Sequence, residues 1–218
     1  MKTLIAIPCM DMVHTGFFRS FLEMEKPDNS AFAIIQNTLI YGARNAIAQN
    51  AITEGFDRVL WLDSDMVVPH DLFIRLSEDM DSGKEFVTGV YFARKPPITP
   101  IVFDKLWWEV QKDGWVKTGA ERLKEIPENS VFEVAGSGFG CVMTSVDLLK
   151  RVCDVYGAPF TPLMGIGEDL SFCYRVTQTG GKMWCDSRIK AGHIGQFIYD
   201  ESVYERRSKN GSGLSFAG

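Results

Sequence analysis

The order of apolar patterns over the first 90 residues constrains the fold more than any other feature of the chain. Four short apolar runs, Leu4 to Pro8, Phe32 to Ile35, Val59 to Leu62 and Phe86 to Val90, alternate with segments whose apolar residues recur at helical spacing. Such brief continuous runs read as strands buried on both faces, which is a property of parallel sheets. Between them, Phe17, Phe18, Phe21 and Leu22 form one stripe, and Ile40, Ala43, Ile47 and Ala51 a second. Leu72, Phe73, Leu76 and Met80 form a third, following Pro69, a residue favoured at helix starts. Strand and helix in alternation demand crossover connections, so the expectation is an α/β domain with right-handed βαβ units.

The second half is less regular. Residues 91–135 hold Pro96, Pro97 and Pro100 and the aromatics Tyr91, Phe92, Trp107, Trp108 and Trp115, which read as a long loop with a few antiparallel strands. Ser145 to Val152 reads as a helix, as does Glu168 to Thr179, which stops at Gly180-Gly181. Met183 to Asp186 reads as a strand. The expected architecture is one α/β domain over residues 1–205, with a mixed, mostly parallel central sheet flanked by helices. The tail, 206–218, has linker composition and is expected to be flexible. Its Arg206, Arg207 and Lys209 could fold over a ligand as a lid.

Composition narrows the function. Among 218 residues, 23 Lys and Arg against 28 Asp and Glu leave a net charge of −5, which argues against a nucleic-acid-binding surface. The five cysteines (Cys9, Cys141, Cys153, Cys173 and Cys185) are odd in number, widely spaced and lack a C-x-x-C pair. That pattern fits a reducing, cytoplasmic compartment rather than a disulfide framework or structural zinc. No apolar stretch approaches the ~18 residues of a transmembrane segment, and no signal peptide is visible.

The most informative segment is Val59-Leu60-Trp61-Leu62-Asp63-Ser64-Asp65, a buried strand running into two carboxylates one residue apart. In open α/β sheets, ligands bind at the carboxyl ends of strands. Two acids so close are costly without a cation, and a hard ion such as Mg²⁺ or Mn²⁺ suits them. A solvated turn is the competing reading, because Asp and Ser are good turn formers. Glu168 and Asp169 open a helix, where acids gain ~0.3–1 kcal/mol from the helix dipole, or where a general base would be held ionised. His193 stands in Ala191-Gly192-His193-Ile194-Gly195, where glycines let backbone approach a ligand. Arg44 falls on the edge of the second apolar stripe, so it either meets an anion (a phosphate or Asp63) or snorkels to solvent. Gly136-Ser137-Gly138-Phe139-Gly140 lacks phosphate-loop spacing and reads as a tightly packed or flexible loop near a ligand. His14 and His70 read as structural.

Taken in order, IAIPCMDM, GARNAIAQNAI, VLWLDSDMVVP, GSGFGCVM, GEDLSFCYR and AGHIG resemble the GT-A glycosyltransferases, and most nearly the family-2-like group that uses nucleotide-diphosphate sugars. The resemblance covers Thr3 to Gly195 and implies a GT-A-like (Rossmann-like) domain. It also implies roles. Pro8, Cys9 and Asp11 would border the nucleobase and ribose, and Arg44 would sit near the nucleotide. Asp63 and Ser64 would face the donor, with Asp63, Asp65 and His193 holding Mn²⁺ or Mg²⁺. Asp169 would be the base that deprotonates the acceptor hydroxyl, with Glu168 positioning acceptor or base. The expected partners are a UDP- or GDP-sugar and an acceptor that the motifs do not identify.

The first strand ends Pro8-Cys9-Met10-Asp11 rather than in the commoner Pro-x-Tyr-Asn pattern. The Q/R-x-x-R-W motif of processive synthases is absent, which favours single transfers. Two alternatives stand beside a non-processive, inverting transferase. One is an inert nucleotide-sugar or carbohydrate-binding module. The other is a sugar nucleotidyltransferase, whose usual Gly-rich N-terminal loop is missing here.

Overall fold

The computed structural model describes residues 1–28, 30–95, 97–113, 116–163 and 165–195. The first half builds β1 (Thr3–Pro8), α1 (Thr15–Glu23), β2 (Ala31–Ile35), α2 (Ile40–Thr53), β3 (Arg58–Leu62), the short β4 (Met66–Val67), α3 (Leu72–Asp81) and β5 (Phe86–Val90). The second half builds β6 (Val102–Val110), β7 (Val116–Arg122), β8 (Val131–Val134), β9 (Gly136–Ser137) and β10 (Cys141–Ser145). It continues through α4 (Val146–Tyr156), α5 (Glu168–Gln178), β11 (Met183–Lys190) and β12 (Gly192–His193).

Among the described residues, seven strands form the central sheet in the order β2-β1-β3-β10-β5-β11-β8. β1 runs parallel to β2 and β3, and β11 runs parallel to β5, whereas β10 and β8 are antiparallel to their neighbours. The sheet is therefore mixed and mostly parallel. Every residue of β1, β3 and β5 is buried, as their continuous apolar character requires. Alternation splits the core between the two faces. Leu4, Ala6, Trp61 and Phe86 meet α2, α4 and α5 on one side, together with a ring cluster of Phe139, Phe160 and Phe172. Ile5, Ile7, Leu60 and Leu62 meet residues of α1 and α3 on the other. The Phe160 and Phe172 rings stack at 4.5 Å. The Trp61 indole N–H donates to Thr144 Oγ1 at 2.9 Å, so the largest core side chain leaves no polar atom stranded.

Three differences from the sequence reading have local causes. β10 is a strand where none is expected, because it follows a glycine run and ends at Ser145, whose hydroxyl accepts from Leu148 N–H and caps α4. Of the long loop with a few antiparallel strands expected over 91–135, β6 and β7 are the antiparallel strands, and they pair with each other over most of 102–122, more than a loop with a few strands implies. Pro97 and Pro100 precede the pair and leave its ladder untouched. The strand foreseen over 183–186 continues to Lys190. In α1, Phe17 is buried but Phe18 and Leu22 are exposed, so that stripe is only partly sunk into the core. The five cysteines are free thiols. Among the described residues no helix is long and apolar enough to cross a membrane. The tail and the lid expected of it lie outside the described residues, as do Pro96 and Trp115.

Candidate active site

Parallel pairing brings the carboxyl ends of β1 and β3 to one edge of the sheet, and the remaining motifs arrive there from other elements. Pro8 and Cys9 close β1, both buried, with the Cys9 N–H donating to Ile35 O at 3.0 Å. Asp11 follows and is exposed. Asp63 leaves β3 with its N–H bonded to Gly140 O at 3.2 Å, while its own carbonyl accepts from Met66 N–H at 3.1 Å. This tight turn presents Asp63, Ser64 and Asp65 in sequence, and Ser64 O accepts from His14 N–H at 3.2 Å. His14 and His70 are exposed, and neither joins the acidic cluster.

Asp63 and Asp65 have different partners. Arg44, on α2 and only 2 % exposed, donates from Nη2 to Asp63 Oδ1 at 2.8 Å. Its Nε lies 3.5 Å from Glu168 Oε1, and its guanidinium sits 5.1 Å above the Phe139 ring. The carboxyl end of β3 and the start of α5 thus share one buried cation. Arg44 meets anions rather than snorkelling. Even so, its Nε and Nη1 find no hydrogen-bond acceptor among the described residues. Burial pushes the Asp63 carboxyl above its ordinary value despite the opposing pull of Arg44.

Asp65 turns toward His193 instead. The two-stranded ribbon of β4 and β12 pairs His193 with Met66, and Ile194 N–H donates to Asp65 O at 2.8 Å. These bonds set His193 Nε2 3.5 Å from Asp65 Oδ2. The other ring nitrogen, Nδ1, lies 2.8 Å from Phe92 O and serves that carbonyl as a donor. The ring edge packs on Tyr91, with centroids 5.5 Å apart. Burial would raise the Asp65 carboxyl, but the bond and charge of His193, together with Arg94, outweigh it and hold the group below its usual range. The same hydrogen bond lifts the His193 imidazole above its ordinary value.

Glu168 and Asp169 start α5 after Gly167, as the acidic helix start predicts. The loop before them is anchored by Asn45, whose Oδ1 accepts from Phe160 N–H at 2.8 Å, and by Arg175, which donates to Pro159 O at 2.8 Å. Ser171 Oγ ties the loop to the helix, accepting from Leu163 N–H at 2.9 Å and donating to Gly167 O at 2.7 Å. Asp169 folds back over the helix start, Oδ1 accepting from Leu170 N–H at 2.7 Å. Burial, reinforced by the charge of Glu168, pushes its carboxyl up to about 6.

Sequence reasoning missed Arg94, Tyr91 and the exact part played by Phe139. Arg94 follows β5 and ion-pairs with Asp65, also donating to Ile194 O at 3.4 Å. The Tyr91 hydroxyl accepts from Gly140 N–H at 3.2 Å, and a Cβ on Gly138 would lie only 2.0 Å from that hydroxyl oxygen. The glycine run is therefore a tightly packed loop whose small residues admit Tyr91. The usable signal for Arg94 was its place just beyond a buried strand, since loops at carboxyl strand ends carry ligand contacts.

The sequence reading groups Asp63, Asp65 and His193 as metal ligands, whereas the structure pairs Asp65 with His193 and commits Asp63 to Arg44. Among the described residues no group of three His, Cys, Asp or Glu side chains stands ready to hold an ion. The Asp65–His193 pair does suit a divalent ion. A metal-binding imidazole ordinarily donates its second nitrogen to a carbonyl, as Nδ1 does to Phe92, which aims the Nε2 lone pair at the metal position. A carboxylate facing that lone pair needs either a proton or a cation between the two.

No protein-family model matches the chain, and no curated protein matches it. Among solved structures, it is similar to A197 from STIV at 20 % identity with a TM-score of 0.67, over 90 % of this chain and 87 % of that one. It is also similar to GalNAc-T7, crystallised with UDP, GalNAc and Mn²⁺, at 12 % identity with a TM-score of 0.59. That second match covers 90 % of this chain but 43 % of GalNAc-T7. Likeness at these identities shows the fold, which is GT-A-like.

Proposed function

We propose that the chain is a metal-dependent glycosyltransferase that moves a sugar from a nucleotide-diphosphate sugar to an acceptor hydroxyl, by inversion and one transfer at a time. The observation that carries this reading is the convergence of six polar side chains on one sheet edge: Arg44, Asp63, Asp65, Glu168, Asp169 and His193. The GT-A-like fold and the UDP and Mn²⁺ in the GalNAc-T7 crystal support it. The motif order resembles that of the family-2-like enzymes, which supports the same reading.

Pro8, Cys9 and Asp11 border the nucleoside, and Asp63, held by Arg44, faces the ribose with Ser64 beside it. Asp65 and His193 hold Mn²⁺ or Mg²⁺, which when bound neutralises charge on the leaving diphosphate. Arg94, already on Asp65 and exposed, is a further cation for that diphosphate. Asp169 removes the proton of the acceptor hydroxyl. The oxygen then bonds to the anomeric carbon from the face opposite the leaving group, as the bond to the diphosphate oxygen breaks. A carboxyl at about 6 is ionised at neutral pH yet basic enough to take a proton, as a general base should be. Glu168, fixed by Arg44, orients the acceptor.

Titration calorimetry with UDP and with GDP, in Mn²⁺ and in EDTA, tests the reading. Tighter nucleotide binding in Mn²⁺ is expected, and equal affinity in chelator would remove the metal from the account. A nucleotide-sugar-binding module without catalysis shares this site, but it gives no role to Asp169, which lies among the acids rather than on Asp65. The absent Gly-rich N-terminal loop disfavours a nucleotidyltransferase.

A further inference from the structure

We propose that β2, the open edge of the central sheet, pairs antiparallel with β2 of a second copy of this chain and joins two sheets into one. The pairing is independent of the glycosyl-transfer reading, because β1 lies between β2 and the acids of β3 and the candidate site stays open. Among the described residues β2 pairs only with β1, in an unbroken register from Leu4 with Ala31 to Pro8 with Ile35. One side of its backbone is therefore free to meet another strand. Such edges are ordinarily guarded by a charge, a proline or a bulge. Ala31-Phe32-Ala33-Ile34-Ile35 has none of these. The opposite edge is guarded: β8 has only four residues and carries Glu133, which Lys182 Nζ reaches at 2.8 Å.

The side chains at this edge are apolar and open. The parallel register puts Phe32 and Ile34 on the face of Ile5 and Ile7, which α1 covers, yet they are 51 % and 59 % exposed. Phe21 of α1 meets the Phe32 ring edge-on at 5.6 Å. At 100° per residue Phe18 and Leu22 fall on the flank beyond Phe21, one turn apart, and they are 54 % and 61 % exposed. The Arg19–Glu23 ion pair lies further round the helix. Lys26 borders the strip but is turned onto Phe21: its Nζ donates to Phe21 O and Met24 O at 3.0 Å and lies 5.0 Å from the ring centroid.

This strip is complementary to itself. A two-fold axis through Ala33 uses the whole strand, setting Ala33 against its copy, Phe32 against Ile34 and Ala31 against Ile35. Opposed residues of an antiparallel pair share a face, so Phe32 and Ile34 of both copies meet on the α1 side. At half of the 150–250 Å² that an aromatic can bury, each of Phe18, Leu22, Phe32 and Ile34 offers roughly 100 Å². Their total, about 400 Å², is close to the ~500 Å² of apolar surface that one partner contributes to a homodimer interface of standard size. The pairing also closes, since the joined sheet ends on two guarded β8 edges. The rival occupant is residues 196–218 of the same chain, which follow Gly195 near the start of α1, where Ile194 Cδ1 lies 3.2 Å from the place of a Cβ on Gly16. Those residues carry Asp200, Glu201, Glu205, Arg206, Arg207 and Lys209, and an uncharged edge is better matched by its own uncharged strand.

Analytical ultracentrifugation of the whole chain over a concentration series tests the pairing, beside Ile34→Lys and Phe32→Lys, two exposed positions where a lysine leaves the monomer folded. A dimer is expected, weakened about tenfold or more in either variant by the charge it would bury. Geometry is read separately by cysteine cross-linking with diamide as oxidant. Opposed residues of an antiparallel pair have Cα atoms about 4.5–5.5 Å apart, within disulfide reach. Ala33→Cys is therefore expected to give a covalent dimer, and Ala31→Cys, which would oppose Ile35, is not. A monomeric chain, a dimer indifferent to Ile34→Lys, or cross-linking no better at 33 than at 31 would each overturn the proposal. Hydrogen exchange on the whole chain isolates the rival: a monomer whose β2 amides are protected all the same assigns the edge to residues 196–218 and overturns the dimer.

Discussion

Arg44 Nη2 and Asp63 Oδ1 form a 2.8 Å ion pair in which the cation is almost wholly buried and the anion about one-third exposed. The arrangement makes Arg44 answerable for two carboxylates on different elements, Asp63 and Glu168. Arg44→Ala leaves both without their cation and is expected to cost about 2–4 kcal/mol of folding stability, below the full cost for a wholly buried pair because Asp63 reaches solvent. Urea unfolding of Arg44→Ala, Asp63→Asn and the double variant measures the coupling. Strict additivity would show that the pair is incidental.

Asp65 and His193 are expected to matter to nucleotide binding only when a divalent ion is present. His193→Ala lowers UDP affinity about tenfold or more in Mn²⁺, a size typical of disturbing a metal site, and leaves the affinity in EDTA unchanged. A loss of equal size in both buffers would mean that His193 supports the fold of the β4–β12 ribbon rather than the ion.

Asp169→Asn is expected to bind nucleotide normally and to lose about 10²–10⁴-fold in transfer rate, the usual contribution of a general base. Its carboxyl stands at about 6 in the folded chain, so the wild-type rate falls as pH drops through that value and the base takes up a proton. A rate profile flat from neutral pH to well below that point would reassign the base.

Away from the candidate site, Asp79 is buried beside Asp186, which Arg188 holds with bonds of 2.8 to 3.1 Å. Burial first, then the charge of Asp186, pushes the Asp79 carboxyl up to about 6, while Arg188 and Lys84 pull the other way. Its folded value lies above its unfolded one, so its stabilising contribution is present at low pH and is lost as pH rises through about 6. Asp79→Asn is expected to flatten this decline, retaining about 1–3 kcal/mol relative to wild type between pH 4 and pH 8. Thermal melts across that range read it, and parallel curves would contradict it.

Gly138 and Gly140 set the distance between the glycine run and Tyr91. Gly138→Ala places a methyl 2.0 Å from the Tyr91 hydroxyl oxygen, and the resulting overpacking is expected to cost about 1–3 kcal/mol. Combining it with Tyr91→Phe, which removes that oxygen, should recover part of the loss in chemical denaturation. No recovery would place the strain elsewhere.

The elements legible in the sequence were those with a strong period. β1, β3 and β5 announce themselves because strands inside the sheet are apolar on both faces, and α2 and α3 show helical stripes. β2 carries the same apolar run but lies at the sheet edge, where Phe32 and Ile34 are exposed rather than buried on both faces. β10 is as buried as β1, β3 and β5, but its Thr144 and Ser145 are polar, and they serve the Trp61 indole and the α4 cap. The antiparallel strands expected over 91–135 could not be placed as the β6–β7 pair, because Trp107 shares a face with Lys105 and Glu109 and the preceding prolines obscure the alternation. The acids of the candidate site were visible from their places at a strand end and a helix start. Their partners were not: Arg94 meets Asp65 across 29 positions of sequence, and Asp63 differs from Asp65 only in which cation lies within reach.

The central claim is that this sheet edge activates a nucleotide-diphosphate sugar for transfer, and turnover tests it most directly. A panel of UDP- and GDP-sugars is incubated with the chain in Mn²⁺, in Mg²⁺ and in EDTA, and release of the nucleoside diphosphate is followed. The account predicts that at least one donor is hydrolysed slowly in the presence of metal, that EDTA abolishes release, and that Asp65→Asn does the same. No release from any donor in metal, or release that is indifferent to chelation, would contradict it.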